Sequence, residues 1–526
     1  RKACGQDEVP AEILKNGPAP FKENLRLLIN EVLQSRCKLG PELLDSKVVL
    51  IHKKGDQESL RNYRPIALLT STYQLINIIL ADRLQALAEK HRLLESSQFG
   101  FRWLTGVFNS VQKQNWLLKL ASTGDGTLIR IDLDYRNAFN SAGHACLWAV
   151  LEKFGVPDIQ LLKDFYDQAS MRICAGAETS AGIFMDTGTA QGSALSPLLF
   201  ILFINALLRL FDQSGVHHGV KGAPSFNHLA FADDLSLYVT SQRDADILLQ
   251  RVKAFEDWSG LQISRSKSFA TGSLNGAGAA RRAADARRHH QVRSTRAEST
   301  TAPAHACDLL AMEEDDEGNL LRFQTQRPDN RRIRCSQCTR TKSAKLFRHY
   351  AETLEDGVST CLACRAEWTP AGINYGGEAL PVIPGSTPTR FLGIHGDMRG
   401  DCSAQISIVF QQTASIVAFL QERKLSPRQG LSLVSMTLPS FLRFTGSLVP
   451  WSKPQLRKLD RLWMHAYKLA LWISVNTASC LLKFPDTMGG RGLATPLGIL
   501  CQAVWGHLER CCMQYGGLFD LAREEY

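Results

Sequence analysis

The sequence predicts an α+β fold, because strands that carry aspartates are interleaved with segments of helical periodicity. Residues 128–134 alternate apolar and polar side chains, so Ile129, Ile131 and Leu133 would share one face and Asp132 and Asp134 the other. Residues 229–231 and 235–239 are apolar half-strands that flank two further aspartates, the pattern of a hairpin with acid at its turn. We therefore expect carboxylates on the open face of a sheet.

The N-terminal region is predicted to be helical, with one early strand. Apolar residues recur at helical spacing over residues 9–44, interrupted by Gly-Pro pairs at 17–18 and 40–41. A short buried strand is predicted at 48–51, and a further helix at about 72–87.

Two more helices are predicted between the aspartate-bearing strands. The first would be capped near Ser141 and end before Gly155. The second would use Ser196 and Pro197 as its cap and first turn and run to about Phe211.

Composition narrows the class of protein. A chain of 526 residues exceeds the size of a single hydrophobic core, so two or three domains are expected. With 44% hydrophobic and 21% charged residues it is globular, and its net charge of +10 favours a polyanionic partner without proving one. Its fourteen cysteines stand mostly alone in apolar segments, which indicates a reducing compartment instead of a disulfide framework.

No membrane partner is expected. The longest apolar stretch, residues 195–210, is broken by polar residues and is shorter than the roughly 20 residues needed to cross a bilayer. The chain begins with Arg1 and ends just after an apolar segment, so we expect a fragment of a longer polypeptide.

An insertion is predicted after Gly272. Residues 275–301 are rich in Ala, Gly and Arg, an acidic run follows at 313–317, and neither has the periodicity of a packed element. Ordered patterning resumes at 390–394 and continues through helical segments.

Four cysteines inside this insertion predict a structural zinc site. Cys335 and Cys338 form one Cys-x-x-Cys pair, and Cys361 and Cys364 form another, with a spacer slightly longer than usual for a zinc ribbon. Chance cysteines are the alternative. Basic residues surround the pairs, so this module could contact nucleic acid or serve only for docking.

The adjacent Asp233 and Asp234 would repel each other in an apolar hairpin. At an effective dielectric of about 20, two charges about 4 Å apart repel by roughly 4 kcal/mol, and Asp134 would add to this. Magnesium prefers such hard oxygen ligands, and two ions could activate a 3′-hydroxyl and stabilise a leaving pyrophosphate. The alternative for the Asp pair is a solvated turn.

The motifs resemble the reverse transcriptases of non-LTR retrotransposons and, more distantly, group II intron enzymes. Phe-Ala-Asp-Asp at 231–234 is similar to the catalytic hairpin of that family, and 134–139, in which Asp precedes Ala-Phe, to its first catalytic strand. Residues 188–200 resemble its template- and nucleotide-positioning motif, and residues 61–66 and 98–102 its fingers. Downstream matches follow in the same order, at 260–268 for a late palm segment and at 391–394 for the primer grip.

The resemblance implies a role for each matched residue. Asp134, Asp233 and Asp234 would hold two Mg²⁺ ions, with the main-chain carbonyl of Tyr135 as a further ligand. Phe139 would be a steric gate that leaves no room for a 2′-hydroxyl, although an ordinary core aromatic is the alternative.

Further residues would position the nucleotide. Lys53, Lys54 and Arg64 could clamp the triphosphate, and for the two lysines a solvated basic turn is the alternative. Gln191 and Gly192 would let the backbone approach the incoming base and the template.

Three nearby residues complete the implied site. Lys267 could donate a proton to pyrophosphate, or could be an ordinary surface lysine. Asn140 stands where the family usually has aspartate, and the sequence leaves open whether Asp132 is a ligand or merely solvated.

The implied architecture is a right-hand polymerase with a zinc-ribbon-like insertion. We expect fingers at 1–125, and a palm with an antiparallel catalytic sheet at 126–274. An insertion, partly disordered, would span 275–387, with its zinc module at 331–368. The end of the palm, a helical thumb and further helices would occupy 388–526.

The implied function is RNA-directed DNA synthesis by a retrotransposon enzyme. Its partners would be an RNA template, a DNA primer or nicked target DNA, and deoxynucleoside triphosphates, in an intracellular and nuclear setting. Two rivals stay open: a catalytically inactive or domesticated relic, and an RNA-dependent RNA polymerase, which Phe139 disfavours. The prediction requires Asp134 to converge with Asp233 and Asp234.

Overall fold

The computed structural model describes most of the chain outside the predicted insertion. The described residues are 3–53, 55–103, 105–123, 126–176, 178–218, 220, 226–275, 332–334, 341–343, 370, 372–398, 400–423, 425–474, 476–483 and 492–514.

Along the sequence, helices come before and after the aspartate-bearing strands, and they make up most of the C-terminal part. They are α1 (Ala11–Asn16), α2 (Ala19–Leu33), α3 (Pro41–Leu44), α4 (Ser71–Lys90), α5 (Val107–Thr123), α6 (Ala138–Ser141), α7 (His144–Lys153), α8 (Ile159–Gln168), α9 (Ser196–Asp212), α10 (Gln242–Ser259), α11 (Ser403–Glu422), α12 (Pro427–Arg443), α13 (Lys453–Ala470), α14 (Ser479–Lys483) and α15 (Pro496–Gln514).

The strands are short and form two five-stranded sheets and three small hairpins. They are β1 (Ser46–His52), β2 (Tyr63–Leu69), β3 (Gly126–Leu133), β4 (Ser170–Ala175), β5 (Glu178–Thr179), β6 (Ile183–Phe184), β7 (His228–Phe231), β8 (Asp234–Val239), β9 (Phe269–Asn275), β10 (Arg332–Arg334), β11 (Thr341–Ser343), β12 (Asn374–Tyr375), β13 (Glu378–Ala379), β14 (Val382–Pro384), β15 (Thr389–Phe391) and β16 (Ile394–Gly396).

The central sheet has the strand order β14-β9-β3-β8-β7. Strand β3 pairs antiparallel with both β8 and β9, and β7 and β8 form a hairpin. The strand and the hairpin predicted from the aspartate motifs are confirmed. The apolar face of β3 is formed by Ile129, Ile131 and Leu133, and all three side chains are buried, as the alternation predicts.

The edge strand β14 pairs parallel with β9, across the predicted insertion. Because β9 is antiparallel to β3, it ends at Asn275, opposite Gly126 at the start of β3. The chain re-enters the sheet at Val382, which pairs with Ala270 near the other end of β9. The connection between them therefore runs back along the length of the sheet.

The N-terminal sheet has the order β2-β1-β4-β5, with β6 also on β4. Strand β1 pairs antiparallel with β2 and parallel with β4. The parallel pair requires a crossover, and the chain between β1 and β4 contains helices α4 to α8 and strand β3.

Helix α9 occupies the centre of the main hydrophobic core. It packs against α4, α7 and α10. Its side chains Phe200, Phe203 and Phe211 are fully buried, which explains why its sequence is apolar on every side.

The C-terminal helices α11, α12, α13 and α15 pack on one another around a separate core that includes Trp463 and Tyr467. Capping boxes at Ser426 and Ser452 begin α12 and α13. Helix α11 is long and apolar enough to cross a membrane by length and composition alone. One such helix is weak evidence of a membrane span, since it contacts α12, α13 and β16.

Three details of the sequence prediction need correction. Ser141 lies inside α6 and does not cap α7, which begins after Gly143. Ser196 is the first residue of α9 and not its cap, because the cap position belongs to Leu195. Strand β14 lies before residue 388, so the central sheet resumes inside the range predicted as insertion.

Candidate active site

Two paired strands of the central sheet end together at a group of carboxylates. Leu133 of β3 lies opposite Leu235 of β8 in an antiparallel register. The same register carried one residue further sets Asp134 opposite Asp234. Asp233 occupies the turn between β7 and β8. The hairpin therefore brings together three aspartates that are distant in sequence.

The turn that holds Asp233 is fixed by a side chain from another segment. Ala232 has a left-handed φ of +56°, which is uncommon for a residue with a side chain. The fully buried Gln98 accepts hydrogen bonds through Oε1 from the backbone N–H groups of Ala232 and Gly100, each at 2.9 Å. Sequence reasoning assigned no role to Gln98, although it lies in a segment matched to the fingers.

The electrostatics of Asp234 show that the carboxylates lie within range of one another. Burial is the largest cause that raises the pKa of Asp234, which reaches about 6. Repulsion by Asp233, Asp134 and Asp132 raises the same pKa, and the charge of Arg390 lowers it. Asp234 opens onto solvent at the cleft, yet the surrounding walls desolvate its carboxylate.

Asp233 has a similar environment. Burial raises its pKa most, and the charge of Asp134 raises it further. A hydrogen bond from its own backbone lowers it, as do the charges of Lys267 and Arg64. The convergence required of these three aspartates is therefore confirmed by their mutual effects and by the strand register.

Asp134 is held by its main chain and keeps an unused side-chain oxygen. Its N–H donates to Ser268 Oγ at 3.0 Å, and its carbonyl accepts from Ser264 N–H at 2.7 Å. Lys267 Nζ lies 3.2 Å from Oδ2 of Asp134, but that buried oxygen accepts no hydrogen bond within the described residues. The Lys267 side chain is 69% exposed, so this ion pair is weak.

Asp132, whose role the sequence left open, has protein partners for its carboxylate. Its Oδ2 accepts from Arg130 Nε at 3.0 Å, and its Oδ1 accepts from the Ser236 hydroxyl. Asp132 therefore differs from Asp134, since both of its oxygens are already bonded.

A cleft of about 740 Å³ opens beside these strands, within the size range of ligand pockets. Its walls include the carboxylates Asp134 and Asp234 and the cations Lys267, Arg64 and Arg390. Excess negative charge at the strand ends faces positive charge on the surrounding walls, an arrangement that suits a ligand with phosphates and a bound cation.

The residues fit a hard divalent cation. The donors are all carboxylate oxygens, their pKa values are raised by burial and mutual repulsion, and one buried oxygen of Asp134 lacks a hydrogen bond. Across the described ranges, however, no three His, Cys, Asp or Glu side chains are already grouped closely enough to hold a metal ion. Asp134, Asp233 and Asp234 would complete their arrangement around the ion.

Phe139 belongs to an aromatic group beside the hairpin. Its ring stacks on Phe200 with centroids 4.4 Å apart and meets Phe101 edge-on at 6.3 Å. Phe101 in turn lies 6.2 Å from Phe231. Phe139 is thus a packed aromatic that is linked to Phe231 of the hairpin through Phe101.

Tyr135 points its side chain into the core. It is buried, burial raises its pKa, and its hydroxyl has no hydrogen-bond partner among the described residues. Any contribution of Tyr135 to the cleft would come from its main chain.

Gln191 and Gly192 pack directly on the N-terminal sheet. The carbonyl of Gln191 accepts from Ala67 N–H at 2.6 Å, and its side chain donates to Asn140 Oδ1 at 3.1 Å. Gly192 has a φ of +137°, and a Cβ there would lie 2.1 Å from the Ala67 carbonyl oxygen. The close contact with strand β2 is therefore sufficient to require glycine at position 192, without the approach of a nucleotide.

The predicted phosphate-binding residues divide into two sets. Arg64 lines the cleft, whereas Lys53 is exposed outside its walls and bonds Asn62 through its backbone N–H. Lys54 lies outside the described residues.

The predicted zinc ligands, Cys335, Cys338, Cys361 and Cys364, also lie outside the described residues. Strands β10 and β11 flank the first pair and form a small antiparallel hairpin. Cysteines within the described part, such as Cys146 and Cys402, are free thiols.

Comparison with known proteins matches part of the chain, including the aspartates, to a known family. Residues 51–304 match the reverse transcriptase (RNA-dependent DNA polymerase) family. This range contains Asp134, Asp233, Asp234 and Lys267, and it ends before the hairpin of β15 and β16.

The relatives include proteins of insect retrotransposons. The Pol polyprotein of type-1 retrotransposable element R2 from Popillia japonica is 28% identical over 42% of this chain and 31% of its own length. The probable RNA-directed DNA polymerase from transposon BS of Drosophila melanogaster is 29% identical over 39% and 22%. The polymerase from mobile element jockey of Drosophila funebris is 25% identical over 49% and 28%. The chain thus spans less than a third of these relatives.

Among solved structures, apo telomerase from Candida tropicalis aligns with 49% of this chain and 56% of its own, at 12% identity and a TM-score of 0.35. So low a TM-score does not by itself establish a shared fold. The family match and the central sheet together identify a right-hand polymerase fold. Residues 51–304 thus carry a reverse transcriptase domain that resembles those of non-LTR retrotransposons.

Proposed function

We propose that this protein is an RNA-directed DNA polymerase of a non-LTR retrotransposon, which extends a DNA primer or nicked target strand on an RNA template. One observation carries the proposal: Asp134 and Asp234 face each other at the end of paired strands and line a cleft together with Arg64, Lys267 and Arg390, and Asp233 lies in the adjoining turn. A solvated turn would not need that convergence.

The three carboxylates would hold two Mg²⁺ ions, with the main-chain carbonyl of Tyr135 as a further ligand. When bound, such ions activate the attacking 3′-hydroxyl and stabilise the charge that develops on the phosphates. The protein's own part is to keep the carboxylates aligned. Gln98 does so by fixing the turn, and Ser268 by anchoring the main chain of Asp134.

Lys267 would protonate the departing pyrophosphate. It lines the cleft and its Nζ is 3.2 Å from an oxygen of Asp134, so a phosphate beside Asp134 would lie within its reach. Arg64, on strand β2, would clamp the triphosphate from the opposite wall through its paired N–H donors. Lys53 and Lys54 would add charge at the rim of this wall.

Phe139 would select deoxynucleotides. Its ring is held against Phe200 and Phe101, so it has little freedom to move aside for a 2′-hydroxyl. Gln191, which bonds Ala67 of strand β2, and Gly192, which packs against the same residue, would form the surface on which the incoming base and the template lie.

The rest of the chain would follow the plan of a hand. Residues 1–125 would act as fingers, the central sheet as the palm and the C-terminal helices as the thumb. The four cysteines at 335–364 would bind structural zinc in an insertion whose basic residues contact nucleic acid. Copying an element at chromosomal DNA would place the protein in the nucleus.

The decisive test is extension of a labelled DNA primer on RNA and DNA templates, with deoxynucleotides and magnesium. Wild-type protein should extend the primer on RNA, and Asp233→Asn should lose that activity by at least about 100-fold. Asp257→Asn is the matched control, because Asp257 is exposed and pairs only with Lys253 in the described structure. Equal inactivity of wild type and Asp233→Asn would identify a relic, and preference for ribonucleotides would identify an RNA polymerase.

A further inference from the structure

Arg130 is an arginine buried inside the central sheet. It lies on strand β3, four residues before Asp134, and is only 1% exposed. A buried guanidinium without partners would be costly, so its contacts indicate what the fold gains from it.

The contacts of Arg130 join three separate parts of the chain. Its guanidinium forms an ion pair with Asp132 at 2.9 Å on its own strand. Nη1 donates to Gln114 Oε1 of helix α5 at 3.4 Å. Nη2 donates to Thr389 Oγ1 of strand β15 at 2.5 Å, and the guanidinium lies 5.9 Å from the ring centre of Phe391.

The β15–β16 hairpin, which contains Thr389 and Phe391, forms one wall of the cleft. Its Arg390, Leu392 and Gly393 line the cleft, and the charge of Arg390 lowers the pKa of Asp234. The hairpin follows the predicted insertion in sequence, and its strands pair only with each other among the described residues. A short link joins it to β14 of the central sheet, and beyond that link side-chain contacts set its position relative to the carboxylates.

Arg130 is suited to hold the β15–β16 hairpin in a fixed position relative to the central sheet. Asp132 neutralises its charge and fixes the plane of its guanidinium, and Asp132 is itself fixed by Ser236. The remaining donors then point in set directions, because the guanidinium is a rigid fork. A buried ion pair of this kind contributes more to geometric specificity than to net stability.

We propose that Arg130 is a positioning residue, which uses its hydrogen bond to Thr389 to set the distance between the β15–β16 hairpin and the carboxylates. This hairpin would position the DNA primer, whose 3′ end must reach the carboxylates. This rests on the proposed function, since a protein that binds no primer has no use for the alignment.

The cleanest test removes only the Thr389 hydroxyl. Thr389→Val keeps the shape of the side chain but leaves Arg130 one acceptor short. The apparent KM for the primer–template duplex and its Kd, from fluorescence anisotropy, should both rise about five- to tenfold. The KM for deoxynucleotides and kcat at saturating duplex should stay within about twofold. Thr389→Ser, which retains the hydroxyl, should restore values near those of wild type.

The matched control is Thr271→Val on β9. Thr271 is also buried and lies opposite Arg130, but its hydroxyl has no partner in the described structure. The inference is overturned if Thr389→Val and Thr271→Val behave alike, or if Thr389→Val raises the KM for deoxynucleotides as much as that for the duplex. Anisotropy needs no turnover, so a wild type that binds duplex without extending it would refute the proposed polymerase activity and still test the Arg130 contact.

Discussion

In the described structure the central sheet and the N-terminal sheet each have five strands, but the central sheet buries a charged side chain whereas the N-terminal sheet exposes apolar ones. In the central sheet, Arg130 is almost fully buried and the strands end in aspartates. In the N-terminal sheet, the apolar Ile173, Ile183 and Phe184 are between 38% and 69% exposed.

The difference separates side chains that are constrained by many contacts from side chains that make few. Buried ionisable groups are tolerated only where every neighbour is placed, so a change in the central sheet should propagate. Exposed apolar residues make few contacts, so changes at these exposed positions of the N-terminal sheet should matter little to folding. Four predictions test this contrast.

The largest effect is expected at the strand end itself. Asp234→Asn should reduce primer extension by at least about 1,000-fold, because a carboxylate that would hold the metal is lost. The same change should raise the thermal unfolding midpoint of metal-free protein, since Asp234 is repelled by Asp233 and Asp134. Scanning calorimetry in a chelator checks the second part. If the Asp234→Asn variant kept its activity, or had a lower unfolding midpoint than wild type, Asp234 would not belong to a cluster of mutually repelling, metal-binding carboxylates.

The turn should be nearly as sensitive. Gln98→Leu leaves the buried N–H groups of Ala232 and Gly100 without acceptors, which should cost about 3 kcal/mol in the free energy of unfolding. Urea denaturation measures this. Gln85→Leu is the control, because Gln85 is also buried but bonds only the Glu89 side chain in the described structure, and it should cost under about 1 kcal/mol.

A buried histidine at the base of the hairpin should make stability depend on pH. His228 bonds Ser97 and Asn227, and burial, with a smaller effect of Lys113, lowers its pKa to about 3. Burial outweighs Asp212, whose Oδ1 lies 3.8 Å away.

The unfolded chain thus takes up the proton first, so the contribution of His228 is complete above about pH 6.5 and is lost as pH falls toward 3. Between pH 6.5 and 5 the loss should be about 2 kcal/mol. Denaturation of wild type and His228→Asn at both pH values isolates this contribution. Parallel pH profiles would show that His228 is protonated in the folded state.

The smallest effect is expected in the N-terminal sheet. Ile183→Ala should change the free energy of unfolding by no more than about 0.5 kcal/mol, because Ile183 is 44% exposed. Ile131→Ala, in the fully buried face of β3, gives the reference for a destabilising change of the same residue, at about 3 kcal/mol. A cost above about 1 kcal/mol for Ile183 would indicate that this face packs against something.

Local features of the fold could be predicted from the sequence, and long-range ones could not. The alternation of β3 and the hairpin around Asp233 are period-two patterns that any short window reveals. The register that sets Asp134 opposite Asp234 joins segments a hundred residues apart, so only the family resemblance suggested it.

Arg130 shows what the pattern hides. It falls on the polar face of β3 with Asp132 and Asp134, and that face was predicted to be open. Helix α5 and the β15–β16 hairpin cover it at Arg130, and neither is apparent from the strand's own sequence. The start of α7 was misplaced for a similar reason, since Ser141 and Gly143 are both plausible caps and packing decides between them.

The parallel pairing of β9 with β14 has a practical consequence. Two adjacent parallel strands cannot be joined by a tight turn, so a return path of about a dozen residues or more is obligatory here. Because the chain departs from the sheet end remote from the aspartates, added length there need not press on the cleft. A reporter domain should accordingly be joined directly after Asn275, and a shortened connection from Asn275 to Val382 would still have to span the length of the sheet.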